Sequence, residues 1–283
     1  MSISSSAVLV KLSISTWGAS MVDKTQTDRV LAQTNASGNA GRFNKNLMAG
    51  TQKVKDLSDF AAMCRTENNR LTLPWEDRGN RLLPTSMFLD YKSKFNTLYA
   101  QFHQMRGEIA YNYDALRQTA RNYLGAMYNE ADYPSVDEVM SKYDWNMTFS
   151  PVPDAGHFLI DIPSSELEEV KQSLHRENDV RLQEATRSAW DRLHKMLEGM
   201  ADKLKETPDG KTKRWHDTFV TNASELCSLL AHLNVSRDPK LEQARQMLQQ
   251  SINGVNVDML KVSPTAREQL KSNVDSILDK FEW

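Results

Sequence analysis

Residues 87–127 read MFLDYKSKFNTLYAQFHQMRGEIAYNYDALRQTARNYLGAM, and this stretch decides the fold class. Met87, Tyr91, Phe95, Leu98, Phe102, Met105, Ile109, Tyr113, Leu116, Ala120, Tyr123 and Met127 follow one another at steps of three and four. That spacing puts them along one face of an α-helix, an apolar stripe that needs burial. At 1.5 Å per residue such a helix extends roughly 60 Å. Gly107 is its weak point.

Towards the C-terminus, Tyr133-Pro134 closes the region and Ser135 opens a short helix through Tyr143, with Asp137 and Glu138 suited to its first turn. Trp145, Met147 and Phe149 then alternate in one strand, and Phe158, Ile160 and Ile162 in a second. Pro151, Pro153, Asp154 and Gly156 lie between, which predicts a β-hairpin. Ser164 opens a second long helix with the stripe Leu167, Val170, Leu174, Leu182, Ala185, Ala189, Leu193, Met196, Met200 and Leu204, interrupted by polar Asn178. A turn at Thr207–Gly210 leads to helices over Lys213–Leu233, Lys240–Ser251 and Pro264–Phe281.

Towards the N-terminus, alternation over Ala7–Ser15 predicts a strand, Asp23–Gln33 a short helix, and Asn35–Gly41 a loop. Val54, Leu57, Ala61 and Cys64 share one face of a helix over Val54–Asn68. Pro74, Gly79 and Pro84 forbid a helix over Leu71–Pro84, which reads as an ordered loop. The expected fold is mainly α: a long antiparallel, coiled-coil-like helical hairpin and a helical bundle, with a small antiparallel sheet made of the N-terminal strand and the central hairpin. Residues 1–283 read as one elongated domain with sub-regions 1–84, 85–207 and 208–283.

Apolar residues make up 40% of the 283-residue chain and charged residues 25%, with a net charge of −2. That balance lacks the global signature of a nucleic-acid or membrane-surface binder. The run Ala7-Val8-Leu9-Val10 is too short to span a membrane, and no basic segment precedes it as in a signal peptide, so a cytoplasmic protein is expected. Cys64 and Cys227 read as buried free thiols, with a mutual disulfide as the alternative.

No arrangement of catalytic residues stands out. Gly210-Lys211-Thr212 resembles the end of a phosphate loop, but Lys205 stands where that loop needs its first glycine. The six histidines form no close metal-binding pair. Pro153-Asp154 with Glu169-Val170-Lys171 imitates a metal-dependent nuclease signature. It falls in a turn and a helical first turn, however, where that chemistry needs adjacent strands. The reading is of a non-enzymatic protein without a cofactor. Two segments offer binding groups: Arg42, Phe43 and Lys45 after the Gly/Asn loop, and Trp75, Arg78 and Arg81 between prolines. Aromatic rings beside basic groups suit a protein partner or nucleic acid. Alternatively, Trp75 staples its loop to the core and the arginines pair with Glu76 and Asp77.

Ser15-Thr16-Trp17, Ala40–Lys45, Leu73–Gly79 with Arg81–Pro84, Glu130–Ser135 and Phe149–Gly156 together resemble a domain-of-unknown-function family of tailed phages, prophages and integrative elements. The resemblance covers nearly the whole chain. Genes of that family often neighbour a MoxR-type AAA+ ATPase and a von Willebrand A-domain protein. It implies an adaptor or scaffold acting with such partners and capable of self-association. A nucleic-acid-binding protein of replication or recombination, and a virion structural component, are the alternatives it leaves.

Overall fold

The computed structural model describes residues 3–76, 79–154, 164–205 and 218–283. Among them, six strands form: β1 (Ala7–Ser15), β2 (Ser20–Val22), β3 (Asn44–Asn46), β4 (Leu73–Pro74), β5 (Arg81–Pro84) and β6 (Asp144–Pro151). The α-helices are α1 (Lys24–Gln33), α2 (Lys53–Leu71), α3 (Phe88–Tyr111), α4 (Tyr113–Leu124), α5 (Val136–Met140), α6 (Ser164–Leu204), α7 (Thr218–Leu233), α8 (Pro239–Ile252), α9 (Val257–Val262) and α10 (Pro264–Lys280). The fold is mainly α, as the periodicities predict. No described helix is long and apolar enough to cross a membrane.

The aromatic stripe is helical but not continuous. It divides at Asn112, whose side chain donates to the Glu108 carbonyl at 2.7 Å and competes with the backbone there. α4 then stops at Gly125, which takes a positive φ of 51°. Near that end Leu124 is buried and Tyr123 stays 71% exposed, so the expected stripe runs one residue out of phase in its last turn.

Two compact units emerge: Met1–Lys11, Asn69–Tyr91 and Thr148–Trp283 form the first, Leu12–Asn68 and Lys92–Met147 the second. This division does not follow the sub-regions suggested by chain order. In the first unit, β5 pairs antiparallel with β1 (Ala7 opposite Pro84, Leu9 opposite Leu82) and with β4 (Leu73 opposite Leu82). The sheet order is β4-β5-β1-β6. The expected loop over Leu71–Pro84 is therefore two short strands. Pro74 and Pro84 end them, where the missing N–H does little harm. The expected second hairpin strand over 158–162 lies outside the described residues.

α6 packs against α10, α7 and β4. Its buried side runs Ala185, Ala189, Leu193, Leu197 and Met200. α8 starts on Pro239 behind Asp238, whose carboxylate accepts the Lys240 and Leu241 N–H groups at 2.8 and 3.3 Å. Cys227 lies buried in α7.

In the second unit, Val54, Leu57, Ala61 and Cys64 are buried together along α2, as their spacing predicts. Trp145 gathers Phe95, Tyr99 and Phe102 at centroid distances of 6.4, 6.1 and 5.5 Å. Ser135 and Glu138 close a capping box at the start of α5. Both cysteines are free thiols.

Candidate functional site

Lys45 sits on β3 of the second unit, opposite Met21 of β2. Its side chain is 5% exposed. The ammonium pairs with Asp23 at 3.4 Å and with Asp132, and donates to the Met127 carbonyl at 3.1 Å. Burial opposes its charge, but the hydrogen bonds and attraction of Asp132 and Asp23 outweigh that and raise its pKa. Lys45 is thus an internal tie and not a free binding cation, which corrects its place among the surface binding groups. Phe43 is half-buried, its N–H on the Thr27 hydroxyl at 3.0 Å and its carbonyl accepting the Asp23 N–H at 2.9 Å. Arg42 is exposed and lines a cavity of about 420 Å³ with Lys24, Asp28, Gly38, Asn39 and Gly41.

Trp75 and Arg81 belong to the first unit. Trp75 is buried, as expected of a staple, and its Nε1 has no acceptor among the described residues. Arg81 does not turn to Glu76, which takes Asn80 instead. It donates to the Thr72 hydroxyl at 2.6 Å and to the Thr72 and Asn69 carbonyls at 3.2 and 3.4 Å. Arg192 of α6 meets the same group, donating to the carbonyls of Arg70 (2.7 Å), Asn69 (2.9 Å) and Thr72 (2.6 Å). Two guanidiniums therefore close the C-terminal end of α2, the negative end of its dipole. Burial, then repulsion from Arg81 and Arg70, pushes Arg192 down to about 10. Arg81 is lowered by burial as well. Trp75 and Arg81 thus both act inside the first unit. Arg78 lies outside the described residues. Arg192 carries no signal in the sequence, since an arginine on a charged helix reads as solvated.

One open surface among the described residues is on α6. From Ser165 to Glu184 none of its side chains is buried, although Leu167, Val170, Leu174 and Leu182 continue the apolar stripe. Asn178 interrupts the stripe and donates to the Pro153 carbonyl at 2.8 Å. The open face runs into a groove of about 560 Å³ floored by Leu182, Trp190 and Trp283 and rimmed by Asp179, Asp191 and Glu282, with Arg187. The two indoles meet edge-on at 5.3 Å. Trp190 donates to Asp238 at 2.8 Å and Trp283 to the Leu278 carbonyl at 2.8 Å. His194 stacks on Trp283 with centroids 4.7 Å apart. Trp190 follows Ala189 directly and so falls off the aliphatic stripe, and that displaced aromatic was the signal available in the sequence.

The nuclease-like residues do not assemble as that chemistry needs. Asp154 follows β6 and accepts the Ser4 hydroxyl at 2.6 Å, and Glu169 is an exposed residue of helix α6. No group of three or more His, Cys, Asp or Glu side chains among the described residues is placed to hold a metal. Gly210-Lys211-Thr212 lies outside the described residues. No family model matches this chain, and neither a curated protein nor a solved structure matches it.

Proposed function

We propose that this chain is a non-enzymatic adaptor that binds another protein along the open face of α6. One observation supports the reading: an amphipathic helix gains stability by covering its aliphatic stripe, and here Val170 is exposed while Leu167, Leu174 and Leu182 are only half-buried. Val170 is 37% exposed, and further along the same helix lies a groove lined by Trp190 and Trp283, a residue type enriched among interface anchors. The family resemblance suggests the partner, a MoxR-type AAA+ ATPase or the von Willebrand A-domain protein that accompanies it, in a phage or mobile-element setting.

Co-expression with each partner, followed by affinity capture and light scattering, tests this. A complex of defined mass should form and be lost when Val170 and Leu174 are both replaced by glutamate, with helical circular dichroism unchanged. A double variant that still captures its partner, or a wild-type chain that binds neither, overturns the proposal. The nucleic-acid alternative keeps Arg42 as its exposed group among the described residues, since Lys45, Trp75 and Arg81 serve inside the fold.

A further inference from the structure

Resting on that adaptor reading, we infer that the groove beside Trp190 and Trp283 receives a basic amphipathic helix of the partner protein. Asp179, Leu182 with Gln183, Thr186 and Trp190 line the groove at helical steps of three, four and seven residues. Such a seam is shaped for another helix laid along α6. Asp179 and Asp191 stand roughly 18 Å apart along the helix axis. Glu282 adds a third carboxylate, and Arg187 is the one opposing charge in the lining. None of these three carboxylates takes part in an ion pair among the described residues.

The floor specifies the rest. Both indole N–H groups are already spent, on Asp238 and on the Leu278 carbonyl, so the rings offer apolar surface and no donor. The matching occupant presents an aliphatic or aromatic anchor flanked by lysine or arginine on both sides. A volume of about 560 Å³ suits a few side chains of such a helix. A second copy of this chain is disfavoured, because a two-fold contact through this groove brings acidic rim against acidic rim.

Two labelled helical peptides of about 18 residues, one with leucine along the seam and lysine at its edges, the other with glutamate for each lysine, separate the possibilities by fluorescence anisotropy on the full chain. The lysine peptide should bind at least about tenfold tighter, with the preference shrinking as salt is raised. Asp179→Asn with Asp191→Asn should erase the preference without changing circular dichroism. Equal affinity for both peptides, binding of neither, or a preference that survives the double variant overturns the inference. So does a wild-type dimer in light scattering that the same variant dissociates. If the partner complex survives Asp179→Asn/Asp191→Asn yet is lost in Val170→Glu/Leu174→Glu, the adaptor reading stands and the groove assignment falls. If no complex forms with wild type, the adaptor reading falls first.

Discussion

Arg81 and Arg192 should prove strongly interdependent. Each donates to the Asn69 and Thr72 carbonyls, so removing one leaves both acceptors with the other. Arg192→Ala forfeits three charge-assisted bonds of 2.6 to 2.9 Å, which intact contribute about 1.5–3 kcal/mol each at most. Shared acceptors and relief of repulsion between the two guanidiniums bring the single loss down to about 2–3 kcal/mol. Arg81→Ala falls in the same range for the same reasons. In the double variant no arginine replaces the lost donors and no repulsion remains to be relieved, so both effects push one way. Its destabilisation should exceed the sum of the singles by about 1 kcal/mol or more. Equilibrium urea unfolding, followed by tryptophan fluorescence and far-UV circular dichroism, measures all three variants against wild type. Singles that add to within about 0.5 kcal/mol would refute the shared-carbonyl account. Arg192→Lys is a useful control. One ammonium does not reproduce the planar fork, and most of the single loss should remain.

Gly50 adopts a φ of +80°, and a methyl group there would stand 2.4 Å from the Tyr123 ring. Gly50→Ala should cost about 2 kcal/mol or more in urea melts, and adding Tyr123→Ala should return only the steric part. Burial pushes the Cys64 and Cys227 thiols up to about 11, so both should resist a thiol reagent at neutral pH until urea opens the fold. Asp23 is held below its ordinary 3.8 by the Gln26 N–H and then by Lys45, and Glu138 below 4.5 by Ser135. Because the folded values lie below the unfolded ones, this stabilisation is complete above them and is lost as pH falls through the folded values. Asp23→Asn should therefore flatten the fall of stability below about pH 4 in acid titrations of the urea midpoint.

Periodicity reported what one residue does relative to its near neighbours. The α2 face, the C-terminal half of the α6 stripe and the Ser135 cap were all legible for that reason, since each depends on steps of three or four. The errors arise where the deciding partner is remote. Asp132 lies 87 residues from Lys45, and the Arg70 carbonyl lies 122 residues from Arg192. A basic residue looks the same in sequence whether it faces water or a distant carbonyl. The strands at Leu73–Pro74 and Arg81–Pro84 were hidden by their prolines, which end a strand as readily as they interrupt a helix. Half of the candidate site was visible as the Leu167–Leu182 stripe. The groove was not, because it needs Trp283 brought to Trp190 by the packing of α10 on α6.

The chain passes between its two compact units four times, and every passage falls inside a regular element: within β1, near the end of α2, near the start of α3 and midway along β6. Neither unit is a contiguous fragment, so no single cut of the gene yields either one. Isolating Thr148–Trp283 would remove both strands that β1 and β5 supply. The peptide carrying α6 would also lack β4, the strand against which α6 packs. Fragment complementation follows as the practical route. Splitting the chain within an exposed loop such as Asn35–Gly41 keeps all four passages intact, and it makes recovery of the helical signal on mixing a direct measure of how far the short N-terminal fragment and the rest of the sequence specify one another.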